Sequence, residues 1–196
     1  MFWTRLTRVT PPTETVVSLD EAKLHLRIGD SNSDDDELVE SLIASATAMV
    51  EGPQGIGVAL LEQTWRLSVD ELDDEILIPF GPVQSVTSVT YRDEDGATQT
   101  LATSLYGVDT DRQPAAIYRK PNQSYPEVEG TSGCVKVTFV TGAASAAEVP
   151  ADLRHAVLLL VGHYYENREA TSATSLKDIP LGVCALLDRH RVSSLA

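Results

Sequence analysis

The chain has 196 residues, 42% of them hydrophobic and 22% charged, enough for one full core or two small ones. Fifteen Lys and Arg face 29 Asp and Glu, and a formal charge of -14 sets the surface against phosphate backbones, which argues against ordinary DNA binding. No apolar run approaches the roughly 18 residues of a membrane span, and Met1-Phe2-Trp3-Thr4-Arg5 lacks an export signal's apolar region, so the expectation is a protein without membrane contact that acts in the cytoplasm where it is made. Cys134 and Cys184 lie far apart and outside any Cys-x-x-Cys frame, which supports neither a disulfide framework nor a structural zinc site and fits a reducing compartment.

The first 15 residues fall outside any predicted element. Ser18-Leu19-Asp20-Glu21 is a capping box, predicting a short helix to about Arg27 with Leu19, Ala22 and Leu26 toward the core. Residues 14 to 75 hold 16 of the 29 acids and three bases, so one surface region is strongly negative. Within it, Asp34-Asp35-Asp36-Glu37 opens a second helix, predicted to run from about Asp35 to Glu51 with Ser33 or Asp34 as cap and Leu38, Leu42, Ala46 and Met49 inward. Those contiguous acids lack the alternation and glycine of a calcium loop.

From Thr64 onward, β-branched and aromatic runs broken by Pro and Gly predict strands at 64–69, 75–79, 84–92, 97–102, 105–108, 115–119 and 134–141. Gly96 closes a hairpin after Tyr91. Pro150 then opens a long helix over 151–169. Leu153, Ala156, Val157, Leu160, Val161 and Tyr164 load one face, while Leu158, Leu159 and Tyr165 load another, so the helix needs a second covering surface, most economically another copy of the chain. A polar stretch, Thr171 to Ser175, leads to Pro180 and a last helix with Leu181, Cys184, Leu187 and Arg191 on one side. The fold class is α+β: a helical core of two N-terminal and two C-terminal helices carrying a small antiparallel β insertion. The boundaries are an arm at 1–15, helical halves at 16–63 and 150–192, the insertion at 64–149 and a tail at 193–196.

Tests for chemistry leave little. The histidines at 25, 155, 163 and 190 form no His-x-x-x-His, and His163 with Glu166 reads better as a polar margin of an apolar helix than as a metal pair. Dinucleotide, Walker and nucleophile-elbow motifs are absent, and with 29 acids carboxylate pairs arise by chance. No cofactor or metal is implied, and a small acidic hydrolase is the weakest reading. Trp65, Tyr91, Tyr164 and Tyr165 lack the basic neighbours of a base-stacking platform and read as packing. Phe2, Trp3 and Arg5, apolar and basic in an acidic chain, read either as a loose end or as an arm for a partner. Arg189-His190-Arg191-Val192 with the tail through Leu195 carries the same two readings.

Several segments in order resemble one family. Val17-Ser18-Leu19-Asp20-Glu21-Ala22-Lys23-Leu24-His25-Leu26-Arg27, the helix to Met49, Gln63-Thr64-Trp65-Arg66-Leu67, the run from Pro82 to Tyr91 and the run from Leu153 to Glu169 resemble the head-tail connector proteins of long-tailed phages, also called adaptor or head-completion proteins, which phage-derived gene transfer agents also carry. The likeness covers about residues 16 to 192. It implies a non-enzymatic subunit of a dodecameric ring beneath the portal of a virion or phage-like particle, assembled in the host cytoplasm. The ring extends the DNA channel and offers a platform for the stopper or tail. It also implies portal docking by the C-terminal region, by position Leu181, Leu187, Arg189, Arg191 and Leu195. In that setting Leu158, Leu159, Tyr164 and Tyr165 are the expected subunit interface, and Asp34, Asp35, Asp36 and Glu37 a candidate acidic channel face past which DNA slides unbound. A tail-completion or tail-terminator protein is the alternative.

Overall fold

The computed structural model describes residues 5–29, 31–52, 55–168 and 181–192, with the side chain of Leu181 excepted. Expectations for Phe2, Trp3, the 171–175 stretch, Pro180 and Leu195 fall outside the described residues. The described residues form two compact units, one from 5–12 and 62–143, the other from 13–61 and 144–192.

The first unit is all β. Its strands are β1 (Leu6–Thr10), β2 (Gln63–Val69), β3 (Glu75–Ile78), β4 (Val83–Arg92), β5 (Thr98–Thr100), β6 (Tyr106–Asp109), β7 (Ala115–Arg119) and β8 (Val135–Thr141). They make a five-stranded sheet ordered β1-β2-β8-β4-β5 and a three-stranded sheet ordered β3-β7-β6, antiparallel throughout. The β portion is therefore a substantial two-sheet structure, not the small insertion expected.

Side-chain alternation fixes the register, because a one-residue slip would exchange the faces. Leu6, Leu67, Val137 and Val89 form one cross-strand row, of which the last three are buried. The rows on the opposite face read Thr7, Arg66, Thr138, Ser88, and then Ser68, Lys136, Thr90, Thr100. In the core Trp65 meets Phe80 edge-on at 4.8 Å, and its indole N–H donates to Gln63 Oε1 at 2.8 Å, so a buried donor is satisfied. The expected hairpin forms: Gly96 takes φ +79, and the Asp93 and Ala97 backbones close it.

β1 corrects the reading of residues 1–15 as lying outside any element. It is an edge strand exposed along most of its length, so it shows none of the alternation that marks a strand in sequence.

The second unit is helical: α1 (Leu19–Leu26), α2 (Asp36–Val50), α3 (Ala151–Glu166) and α4 (Leu181–Asp188), with a 3-10 turn at Ala146–Glu148. α3 packs against the other three helices. The Ser18/Glu21 capping box is present, and the same Glu21 carboxylate pairs with Arg154, tying α1 to α3. α2 departs from expectation twice. Its cap residue is Asp35, whose side chain makes no capping bond, and its buried face is Val39, Ile43, Ala46 and Val50, which keeps Ala46 from the expected stripe and replaces Leu38, Leu42 and Met49 with their next neighbours. Leu38 and Leu42 are half-buried and Met49 is exposed. α2 is apolar at both sets of positions, and the β-branched set packs inward. α3 ends at Glu166, three residues earlier than expected, with Leu153, Ala156, Val157, Leu160 and Val161 buried. On α4, Val183 and Leu187 point inward and Cys184 outward.

Candidate assembly surfaces

The second face of α3 is less bare than its sequence implies. Leu158, Leu159, Tyr164 and Tyr165 are all half-buried within the chain. Tyr165 Oη donates to Asp35 Oδ2 at 2.6 Å, and the Arg168 guanidinium lies 4.5 Å from the Tyr165 ring centre and 3.4 Å from the same carboxylate. The Tyr165 hydroxyl and then Arg168 hold the Asp35 carboxyl below the usual aspartate range, and Asp35 raises the Tyr165 phenol in return. Tyr165 is thus engaged by its own helical unit, and Leu158, Leu159 and Tyr164 remain the partly open members of this face.

The acidic block also divides. Lys23 is 4% exposed, and its Nζ donates to Asp36 Oδ1 at 2.8 Å and to the Asn32 carbonyl at 2.6 Å. Asp36 is therefore a structural partner joining α1 to the start of α2, and Asp35 belongs to the Tyr165 cluster. Asp34 and Glu37 face solvent.

The C-terminal residues fold back onto their own unit. Leu187 is a core side chain at 8% exposure. Arg191 Nη1 donates to the Gly55 carbonyl at 3.1 Å, Val192 N–H to the Ile56 carbonyl at 2.9 Å, and His190 Nε2 lies 2.7 Å from Asp152 Oδ2. The His190 contact is the largest cause of a lowered Asp152 pKa. Of the residues expected to face a portal, Arg189 and Arg191 are exposed among the described ones, Arg191 while bonded to the Gly55 carbonyl, and Leu187 is removed from any docking surface by burial. At the other terminus Arg5 donates to Asp70 Oδ1 at 2.5 Å and to Ser132 Oγ at 3.2 Å within the β unit. This Arg5 bond, followed by the Gly133 N–H, depresses the Asp70 carboxyl.

Among the described residues, the large apolar side chains that stand exposed were not expected as surface: Leu24 at 76% on α1, Val9 on β1, Met49 on α2 and Tyr118 on β7. Leu24 could have been found, since it sits off the Leu19, Ala22, Leu26 face. Among the described residues no helix is long and apolar enough to cross a membrane, and no group of three or more His, Cys, Asp or Glu is placed to hold a metal.

The described residues thus present two compact units with paired surface charges and a C-terminal segment latched to its own unit. The head completion protein model matches residues 15–191, and the chain belongs to that family. It is a head-tail connector of the head-tail joint. The fold is similar to a chain of the neck of an empty gene transfer agent (GTA) particle computed with C6 symmetry, at TM-score 0.79 and 28% identity. It is similar as well to a chain of the native GTA virion, at 0.75 and 28%, and to one of the native GTA neck computed with C12 symmetry, at 0.69 and 25%. Each likeness covers 97% of both chains. No curated protein matches.

Proposed function

We propose that twelve copies of the chain close a ring beneath the portal, lengthen the DNA channel and present the platform on which a stopper or tail protein seats, with no enzymatic step. The observation that carries this reading is the end-to-end likeness to neck chains, one of them in a neck of C12 symmetry. A ring of identical subunits needs heterologous contacts that close. Leu158 and Leu159, half-buried in the lone chain, supply apolar area for such a contact, with Tyr164 beside them.

The portal side belongs to the C-terminal end, through Arg189, Leu181 and Leu195, while Arg191 and Leu187 hold that end to its own unit. Phe2 and Trp3 form the arm toward a neighbouring protein. Asp34 and Glu37 keep the duplex from sticking as it passes, because unpaired carboxylates repel phosphate. Co-expression with the cognate portal protein, followed by electron microscopy, tests the assignment: a ring stacked on the portal is the expected image. A chain that ignores portal and binds tail-tube protein would instead be a tail terminator.

A further inference from the structure

We infer that the open face of the five-stranded sheet, the face carrying Arg66 and Lys136, is the surface on which the acidic helical unit of a neighbouring copy docks in the ring. The inference rests on the proposed ring and names which face of the subunit closes it.

Two central rows of that face are hydroxyls interrupted by two cations, Arg66 on β2 and Lys136 on β8, with no carboxylate in either row; a further row, Thr64, Val140 and Ser85, adds hydroxyls around one apolar side chain, and Arg92, held by Glu129, lies beyond Thr90. Both cations stand apart from the other basic residues of the unit. Arg5, Arg92, Arg112 and Arg119 are held by Asp70, Glu129, Glu75 and Asp74, and Lys120 donates to the Thr103 carbonyl. Arg66 and Lys136 have no ion-pair partner among the described residues. Lys136 is exposed and Arg66 half-exposed, in mid-strand positions whose backbone is fixed by hydrogen bonds to both neighbours.

A closing ring uses two different patches of the same chain, one for each neighbour. This chain carries two of opposite character. Residues 13–61 and 144–193 hold 16 acids against 7 Lys and Arg, so the helical unit is the strongly negative body, and the cation-bearing hydroxyl face is its electrostatic complement. Thr and Ser rows also supply hydrogen-bond donors for carboxylates at little side-chain entropy cost. Two cations on a unit that is itself net negative are too few to hold a duplex, which favours a protein occupant over nucleic acid.

The test uses the full chain assembled on its portal, as an equal mixture of isotope-labelled and unlabelled copies treated with a zero-length carbodiimide cross-linker. Mixed-isotope links from Lys136 to carboxylates of residues 13–61 or 144–193 are expected. Arg66→Glu with Lys136→Glu should weaken each subunit contact about tenfold, with added salt partly restoring it, and Arg66→Gln with Lys136→Gln by less, with a loss of salt sensitivity. Circular dichroism of the variants separates misfolding from lost contact, because these outward side chains leave the core untouched. Rings that form with Lys136 unlinked and the variants unaffected would overturn the inference and leave the connector role standing. Duplex DNA retained by the wild-type chain and released by the variants would also overturn it, assigning the face to nucleic acid. No ring on the portal even for wild type would sink both.

Discussion

The Lys23–Asp36 pair offers a test in which two ways of breaking one contact should differ. Lys23 is 4% exposed and donates to Asp36 and to a backbone carbonyl, while the Asp36 side chain keeps 31% exposure. Asp36→Asn leaves the ammonium in the core with neutral acceptors only and no counter-charge, and orphaning a buried charge costs about 3 kcal/mol. Lys23→Met fills the same space with an apolar chain and strands a carboxylate that water already reaches. Its cost is about 1 kcal/mol, the size of a lost hydrogen bond. For a chain of this length these translate to melting shifts of about 6–12 °C and about 2–4 °C. Thermal melts of the full chain followed by far-UV circular dichroism read the helical unit. Equal losses, or a larger loss from Lys23→Met, would refute the argument that the buried member is the lysine and that Asp36 is a structural residue more than a surface acid.

Four further outcomes follow from the same structure. A Cβ at Gly55 would sit 2.1 Å from the Val50 carbonyl oxygen and 2.7 Å from that of Glu51, so Gly55→Ala should cost about 3 kcal/mol or more. Gly52→Ala, with φ +89 but open space, should cost about 1–2 kcal/mol by urea denaturation. The Glu21 carboxyl is depressed first by the Ser18 backbone N–H and then by Arg154, and that of Asp152 by His190; both are lower folded than unfolded, so their contribution is complete above the ordinary carboxylate range and lost as pH falls through the depressed values. Helical signal should therefore resist denaturant less as pH drops from about 5 to about 3, and a rise would contradict the sign. Leu158→Ser and Leu159→Ser should each cost the lone chain about 1 kcal/mol, half of a full leucine burial, while portal-templated rings fail in electron micrographs.

Much of the fold could be read in the sequence where one residue type does one job. Ser18 with Glu21 can only cap, and strands bounded by Pro and Gly were placed to within a few residues because those punctuators leave few options. Where two faces of an element are both apolar the reading slipped, as on α2, whose Leu38 and Leu42 competed with Val39 and Ile43. Edge strand β1 was missed because exposure on both faces erases periodicity. The candidate surfaces were harder still, since which charges are free depends on pairs distant in sequence. Nothing local marks Asp36 as the partner of Lys23, Arg5 as that of Asp70, or Arg191 as a latch on Gly55.

The distribution of apolar surface bears on how such a subunit assembles. Leu158 and Leu159 are half-buried, Tyr165 is tied to Asp35, and the openly exposed apolar side chains are few among the described residues. That is too little greasy area to drive tight association of free copies, since binding must first offset several kcal/mol of lost rigid-body freedom. A net charge of -14 adds repulsion between copies at long range. A template that fixes each copy in place removes most of the entropic cost once, after which the modest side contacts proposed above, between a negative helical unit and a cation-bearing sheet, would suffice to close the circle. On the proposed reading the chain stays single until a portal gathers it, and the sharp test is stoichiometric: rings should appear in proportion to added portal and be absent from the chain alone at the same concentration.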